Sequence, residues 1–371
     1  MIEFKIIKSS KKSKARLGIL KTENGEIKTP SLVPVATQAV VKTLTSEEVL
    51  ETKTQVLICN TFHLHLRAVS NLHKFMNWPK PLMSDSGGFQ VFCLGFGQDH
   101  NVGKILKSKG NKTISHGQQP KSLKITDRGV FFKSPIDGRQ LFLGPKESIR
   151  RQEALGADII FTFDECTSSL ADKEYTEKSL EKTHNWAEQC LQLKKTKQAL
   201  YGIVQGGKYE DLRQKSAKTI GSMDFDGFGI GGEFGDDKRK LGKTLAIVNN
   251  ELPYQKPRHL LGIGYPEDIK LIVAQGIDTF DCTVPTHYAR RGIAFTPEGR
   301  LNLNQMKYSK DKKPIDRDCR CSVCKNYSRN YITHLLRAKE ITALRLLTFH
   351  NLYYFNTLVE KIREDIENDK L

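Results

Sequence analysis

Short apolar runs recur along the chain, and most of them are bounded by glycine, proline or acidic residues. Runs of this length between turn-forming residues are typical of buried strands. Segments with helical periodicity lie between many of them. We predict eight strands, at residues 31–36, 55–59, 81–84, 158–163, 199–204, 225–230, 258–263 and 277–280. We predict helices at residues 45–52, 146–155, 173–193, 209–220, 237–249 and 266–274.

Alternating strands and helices predict an α/β fold with a parallel sheet. Eight strands at this chain length favour a (β/α)8 barrel of the TIM type, and no G-x-G-x-x-G motif follows the first strand to favour a dinucleotide-binding sheet. Residues 95–119 are rich in Gly, Lys, Ser and Asn and predict a mobile loop. Residues 122–143 predict an antiparallel insertion with a turn at residues 137–138. We therefore expect a barrel domain over residues 1–300, with an insertion near 95–144. A cysteine-containing subdomain with helices packed on the barrel is expected over residues 301–371.

Basic residues outnumber acidic ones by 59 to 42, which gives a formal net charge of +17. A surplus of this size favours a polyanionic partner such as nucleic acid, although general solubility would also account for it. After the last predicted strand, cations lie beside an aromatic side chain, at His287, Tyr288, Arg290 and Arg291. This combination suits a phosphate backbone or a stacked base, and a solvated loop is the alternative.

Polar side chains follow several of the predicted strands at the point where each strand ends. Asp85, Asp164, Gln205 and Asp281 occupy such positions, and glycine pairs follow Asp85 and Gln205. In barrels of this kind the reacting groups lie at the carboxyl ends of the strands. Three carboxylates and an amide on one rim suit chemistry on a glycosidic bond, with one carboxylate at the anomeric carbon and another moving protons. Each aspartate could instead cap the helix that follows it.

Three of the eight cysteines are closely spaced, as Cys319-x-Cys321-x-x-Cys324. Three thiolates at this spacing predict a structural zinc site that a histidine completes, and spacing alone leaves both His350 and His334 open. The other cysteines are scattered and suggest reduced thiols rather than a secreted disulfide framework. No signal peptide is apparent in residues 1–5 and no apolar run is long enough to cross a bilayer, so we expect a cytoplasmic protein.

Five segments together resemble the tRNA-guanine transglycosylases: residues 84–90 (SDSGGFQ), 163–167 (FDECT), 202–207 (GIVQGG), 259–264 (HLLGIG) and 280–286 (FDCTVPT). The chain is similar to the bacterial type, because we expect no further RNA-binding domain after Leu371. The resemblance covers nearly the whole chain. It implies a (β/α)8 barrel, a zinc subdomain near the C-terminus and, in many members, a homodimer.

The resemblance also implies a reaction and roles for residues. The wobble guanine of a tRNA with a G-U-N anticodon would be exchanged for 7-aminomethyl-7-deazaguanine or queuine, with no nucleotide cofactor. Asp281 matches the nucleophile and Asp85 the general acid/base. The residues that match the base pocket are Asp164, Gln205, Cys166, Gly229, Gly231, Gly232, Phe89 and Leu261. Those that match the tRNA contacts are His287, Arg290 and Arg291, with His287 standing where arginine is common. The zinc ligands match Cys319, Cys321, Cys324 and His350.

Three other functions are also compatible with the sequence. The chain could be a non-catalytic partner subunit, although the retained Asp85, Asp164 and Asp281 argue against it. It could act on DNA, although the zinc motif and Arg290 favour RNA. A barrel glycosidase is the last alternative, and the +17 charge and the two tryptophans, Trp78 and Trp186, disfavour it.

Overall fold

The computed structural model describes residues 2–65, 67, 69–92, 123–134, 137–168, 170–232 and 238–371. The predicted mobile loop at 95–119 lies outside these residues. The strands are β1 (Glu3–Ser9), β2 (Arg16–Thr22), β3 (Gly25–Thr29), β4 (Ser31–Ala36), β5 (Leu57–Cys59), β6 (Leu82–Ser84), β7 (Leu123–Thr126), β8 (Gly129–Lys133), β9 (Gln140–Leu143), β10 (Ile159–Phe161), β11 (Ala199–Val204), β12 (Gly227–Ile230), β13 (Arg258–Leu260), β14 (Thr279–Cys282), β15 (Ile293–Thr296) and β16 (Gly299–Asn302).

The helices are α1 (Ser46–Glu51), α2 (Thr61–His65), α3 (Leu72–Met76), α4 (Pro145–Leu155), α5 (Lys173–Leu193), α6 (Glu210–Gly221), α7 (Lys238–Glu251), α8 (Pro266–Ala274), α9 (Val284–Ala289), α10 (Ser322–Asn326), α11 (Arg329–Arg337) and α12 (Ile341–Glu367). Residues 88–92 are also helical, and Met306–Tyr308 form a 3-10 turn.

Eight parallel strands close into a barrel in the order β4, β5, β6, β10, β11, β12, β13, β14, and β14 pairs with β4. The predicted TIM-type barrel is therefore confirmed, and each predicted strand overlaps a barrel strand. One boundary was wrong in a way that matters for the site. The strand predicted at 277–280 is β14, which runs on to Cys282, so that Asp281 lies within the strand. Asp281 pairs with Val33 of β4, so the hydrogen-bond ladder between the two strands includes Asp281.

Local sequence signals explain where several helices begin and end. Thr45 caps α1 in a capping box, because its hydroxyl accepts from the Glu48 amide and the Glu48 carboxylate accepts from the Thr45 amide. Pro145 stands in the first turn of α4, where its missing N–H is not needed. Gly156 ends that helix with φ of 70°, a left-handed conformation that glycine adopts without a side-chain penalty.

An antiparallel sheet of β1, β2 and β3, which the sequence analysis did not predict, closes the amino-terminal end of the barrel. Leu20 of β2 and Ile27 of β3 are fully buried and belong to the same apolar cluster as Val33, Met83 and Tyr201 of the barrel strands. The sheet therefore fills the barrel interior at the end where the strands begin. A second antiparallel sheet, of β7, β8 and β9, confirms the predicted insertion between β6 and α4.

The long helix α12 packs against β4, α9, α11 and the β15–β16 hairpin. Two buried asparagines fix its position. Asn351 donates to the carbonyls of Pro285 and Ile293, both at 3.0 Å, and Asn356 donates to the carbonyl of Thr52 at 2.8 Å. Buried polar groups that are fully paired in this way specify one packing arrangement. Within the described residues, no helix is both long and apolar enough to cross a membrane.

A buried ion pair joins the N-terminal sheet to the barrel. Arg16 donates to both carboxylate oxygens of Asp278, at 2.8 and 2.6 Å, and the two side chains are at most 1% exposed. Removing one partner of such a pair leaves a buried charge uncompensated. We expect Asp278→Asn to lower the free energy of unfolding by about 3–5 kcal/mol, measured by urea denaturation.

The exposed pair of Arg139 and Asp137 is the control, since both of its side chains are about half exposed or more. Asp137→Asn should leave the denaturation midpoint unchanged. Equal losses of stability in the two variants would show that burial of the Asp278 pair is not what matters.

Candidate active site

The four polar residues predicted at strand ends lie on the same rim of the barrel. Asp85 follows β6, Asp164 lies beyond the end of β10, Gln205 follows β11 and Asp281 is in β14. The barrel strands are all parallel, so their carboxyl ends form one edge. Gln205 Nε2 donates to Asp164 Oδ2 at 2.7 Å, and the Ser86 hydroxyl donates to Asp164 Oδ1 at 3.3 Å. The ends of three neighbouring strands are therefore linked by hydrogen bonds to one carboxylate.

The Asp85 carboxylate is held by three N–H donors. Asn60 Nδ2 donates to Oδ2 at 2.6 Å, and the amides of Thr61 and Gly87 donate to Oδ1 at 2.9 and 3.1 Å. Donors of this kind fix the orientation of a carboxylate. Asn60 comes from the end of β5, and the sequence analysis did not single it out.

Asp164 is only 4% exposed, and burial raises its pKa to about 6 against the opposing hydrogen bonds from Gln205 and Ser86. Cys166 is buried two residues further along the same segment. The segment after Asp85 approaches closely, because a Cβ on Gly88 would lie 2.7 Å from the carbonyl oxygen of Asp164. Only glycine at position 88 allows this approach.

A buried arginine, absent from the sequence-based site, holds the glycine-rich turns. Arg213 of α6 donates to the carbonyls of Gly207 at 2.8 Å and Gly231 at 2.6 Å. Its side chain is fully buried, and burial lowers its pKa to about 10. Gly232 has φ of 105°, which side chains rarely adopt. Arg213 therefore fixes the backbone that carries the predicted residues Gly231 and Gly232. The third predicted glycine, Gly229 of β12, lies against the Phe161 ring of β10.

Asp281 is held through one of its two carboxylate oxygens. Oδ1 accepts from the Gly262 amide at 2.9 Å and lies 3.2 Å from Nε2 of His259. The Asp281 side chain is 12% exposed and His259 is completely buried. Across the part of the chain that the structure describes, Asp281 Oδ2 makes no hydrogen bond.

The remaining predicted contact residues are partly buried or exposed near the same rim. Phe89 lies in the helix at 88–92, and Leu261 packs on the interior cluster of the barrel. His287 is in α9, Arg290 caps the end of that helix, and Arg291 is exposed. Burial and the nearby charges of Arg291 and Arg290 lower the pKa of His287. The guanidinium groups of Arg290 and Arg291 are partly or fully exposed and are accessible to an anionic partner.

Cys319, Cys321, Cys324 and His350 form a cluster whose ligand atoms all lie within 4.8 Å of one another. His350 Nδ1 lies 3.9, 3.6 and 3.3 Å from the three sulfurs in chain order. A tetrahedral site with these ligand types has nitrogen–sulfur edges of about 3.6 Å. His350 Nε2 lies 2.8 Å from the Phe295 carbonyl, which orients Nδ1 towards the sulfurs. The residues can hold a metal ion, whereas His334 is exposed on α11, outside the cluster.

The chain is similar over nearly its whole length to known proteins. A family model described as queuine tRNA-ribosyltransferase matches residues 10–371. A protein of Archaeoglobus fulgidus is 45% identical over 95% of this chain and 93% of its own length. Proteins named queuine tRNA-ribosyltransferase from Caldanaerobacter subterraneus and Thermoanaerobacter pseudethanolicus are 43% and 44% identical, each over 100% of this chain and 95% of its own length.

The chain belongs to the queuine tRNA-ribosyltransferase family. It is therefore a pentosyltransferase, and the resemblance to tRNA-guanine transglycosylases seen in the sequence is confirmed. Membership of this family indicates that the class of substrate is tRNA. The contacts in the structure add residues to which the sequence assigned no role. Asn60 and Arg213 hold groups on this rim from positions outside the family segments, and His259, the first residue of the segment at 259–264, contacts Asp281.

The raised pKa of Asp164 predicts a pH-dependent cost to the fold. Its folded value, about 6, exceeds the ordinary 3.8, so the folded protein retains the proton over this interval and stability falls as pH rises from about 4 to 6. Asp164→Asn should remove that cost. We expect the ligand-free variant to be about 3 kcal/mol more stable than the wild type at pH 8, with the difference shrinking towards pH 4, measured by urea denaturation.

Asp158 provides a control of opposite sign. Burial acts to raise its pKa, but hydrogen bonds from His73, the Leu82 amide and Asn24 leave it lowered. Asp158→Asn should therefore destabilise the protein at pH 8, and the loss should fade at low pH. If Asp164→Asn also destabilised the protein at pH 8, Asp164 would not be a desolvated carboxylate.

Proposed function

We propose that this enzyme exchanges the guanine at the wobble position of G-U-N anticodon tRNAs for a 7-deazaguanine base, through a covalent bond between Asp281 and the ribose. The proposal extends the family's tRNA-guanine transglycosylase activity to a mechanism. The observation that carries it is the arrangement of Asp281, whose carboxylate is anchored among the described residues through Oδ1, on the same rim as the Asp164–Gln205 pair. The Asp281 carboxylate suits attack on a sugar carbon, and the Asp164–Gln205 pair suits hydrogen bonding to the edge of a base.

The exchange takes two displacements. Asp281 Oδ2 attacks C1′ of the ribose, the bond from C1′ to N9 breaks, and its electron pair leaves with guanine. Asp85 donates a proton to the departing base and afterwards removes one from the incoming base. The incoming nitrogen then attacks C1′ and the Asp281 carboxylate is released. The bond broken and the bond formed are of the same kind, so no energy-supplying cofactor is needed.

The base pocket is proposed to form around Asp164 and Gln205. The N1–H and amino group of guanine are donors, and an ionised Asp164 can accept from them. Gln205 Oε1 is buried and makes no hydrogen bond within the described ranges, so the amide retains an acceptor for a ligand. Cys166, Phe89, Leu261 and the backbone at 229–232 would complete the pocket.

The tRNA is proposed to bind across the rim through His287, Arg290 and Arg291. An anticodon loop is unpaired, so turning its base into a pocket costs little. The +17 charge supports binding of a polyanion.

We also propose that the enzyme is a homodimer, as the resemblance implies, and that the chain divides into a barrel domain at residues 1–300 and a C-terminal subdomain at residues 301–371. That boundary lies within the β15–β16 hairpin, which links the two parts.

We propose that the cluster of Cys319, Cys321, Cys324 and His350 binds zinc. Three thiolates and an imidazole fill a tetrahedron and leave no position for a reacting water, so the ion would only stabilise structure. Cys321→Ala should lose the metal, measured by elemental analysis, and lower the thermal midpoint. Cys190→Ala, which removes a buried thiol elsewhere in the chain, is the control and should keep its zinc. Unchanged zinc in Cys321→Ala would refute the ligand assignment.

The reaction is tested by incorporation of labelled guanine into an unmodified G-U-N tRNA. We expect the wild type to incorporate guanine and Asp281→Asn to lose the activity by at least about 10³-fold, since an amide is a poor nucleophile. The variant should fold with an unchanged circular dichroism spectrum and zinc content. Unlabelled 7-aminomethyl-7-deazaguanine and queuine, added as competitors, would identify the incoming base.

Activity retained by Asp281→Asn would remove Asp281 as the nucleophile. If folded, zinc-loaded wild type incorporated no guanine, the proposed exchange would be wrong, and the partner-subunit or DNA-substrate alternatives would have to be tested directly.

A further inference from the structure

A fully buried histidine lies between Asp281 and a threonine. His259 of β13 pairs in register with Thr279 of β14, and Asp281 is two residues further along the same strand, on the same side. The ring nitrogens are both in contact with these residues: Nδ1 lies 2.9 Å from Thr279 Oγ1 and Nε2 lies 3.2 Å from Asp281 Oδ1. The imidazole ring also packs against Phe161, at 5.4 Å between centroids.

The chemistry of the partners assigns the hydrogens. An ionised carboxylate can only accept, so Nε2 carries the hydrogen that faces Asp281. Nδ1 is then the acceptor, and the Thr279 hydroxyl donates to it. In this arrangement every polar atom of the buried ring is paired, and the ring cannot rotate without losing two hydrogen bonds.

Two donors therefore converge on one carboxylate oxygen. His259 Nε2 and the Gly262 amide both reach Asp281 Oδ1, whereas Oδ2 has no hydrogen-bond partner among the described residues. Hydrogen bonds to a charged acceptor are stronger than those to a neutral one. The pair of donors thus favours the free carboxylate over an ester, whose carbonyl oxygen carries less charge.

We propose that His259 is a positioning residue that makes Asp281 a good leaving group in the second displacement. The inference rests on the proposed role of Asp281 as nucleophile. His259 holds Oδ1 so that Oδ2 faces C1′. When the incoming base forms its bond to C1′, the bond from C1′ to Oδ2 breaks, its electron pair returns to the carboxylate, and the base's proton goes to Asp85. The charge that reappears on Oδ1 is stabilised by Nε2–H.

The test measures the covalent enzyme–RNA adduct under denaturing conditions, at fixed concentrations of an anticodon stem-loop RNA and guanine. His259→Phe keeps a ring beside Phe161 but removes the donor. We expect breakdown of the adduct by guanine to slow by about five- to tenfold, while formation slows less. The adduct should therefore make up a larger share of the enzyme than in the wild type. Damage to the fold alone would lower that share.

Further variants separate the donor from the ring. His259→Gln places an amide that can still donate to Asp281, and it should restore breakdown towards the wild-type rate. Thr279→Val, which removes the hydroxyl that orients the ring, should fall between the wild type and His259→Phe. Tyr201→Phe removes another buried hydroxyl of the barrel, one without a hydrogen-bond partner in the described structure, and should leave both rates unchanged.

The outcomes distinguish this inference from the function on which it rests. An adduct that persists in Asp281→Asn would show that the nucleophile is assigned wrongly. Loss of the adduct in Asp281→Asn, together with an unchanged or smaller adduct share in both His259→Phe and Thr279→Val, would overturn the role of His259 while leaving the exchange reaction in place.

Discussion

Closure of the parallel hydrogen-bond ladder is the constraint on which the site depends. The pairings of β14 with β4 and of β10 with β6 turn an open sheet into a ring, so all eight carboxyl ends face the same way. Strand pairing alone therefore brings residues from positions 85 to 281 of the chain to the same rim. The ring also needs its other end filled. Leu20 and Ile27 of the N-terminal sheet supply that apolar volume, and the pairing of Arg16 with Asp278 fastens the sheet to it.

On this rim, burial of charge works against stability and in favour of binding. Asp164 and Arg213 are both almost inaccessible to water. Burial raises the pKa of Asp164 and lowers the pKa of Arg213, so it disfavours the charged form of each side chain. Arg213 is compensated by peptide carbonyls, which carry no net charge. A dry pocket strengthens every hydrogen bond that a base would make there. The same desolvation lowers the stability of the ligand-free protein, as is usual where a site is organised before its ligand arrives.

The sequence predicted the barrel well because its strands are buried on both faces and appear as continuous apolar runs. It missed β1 to β3 for the opposite reason: these strands mix polar and apolar residues without a continuous apolar run, and the turn between β2 and β3 consists only of Glu23 and Asn24. The strand-end aspartates could be found because carboxylates after apolar strands are conspicuous. The roles of Arg213 and His259 could not, because each residue lies inside a regular element, and the segment at 259–264 does not by itself show the contact of His259 with Asp281. Their importance comes from contacts with turns or strands distant in sequence, which only the fold brings together.

The metal cluster and the proposed tRNA contacts are coupled through adjacent residues of α12. His350 belongs to the cluster, and its Nε2 lies against the Phe295 carbonyl; Asn351, the next residue, accepts from the Phe295 amide and donates to the Pro285 carbonyl. Pro285 lies in α9, the helix that carries His287. An ion at the cluster would hold one end of this chain of hydrogen bonds, about 60 residues away in sequence from the cations it helps to position. The hydrogen bonds of His350 and Asn351 to Phe295 and Pro285 therefore connect the ligand cluster to α9, the helix that carries His287, so order in the cluster is transmitted to that helix.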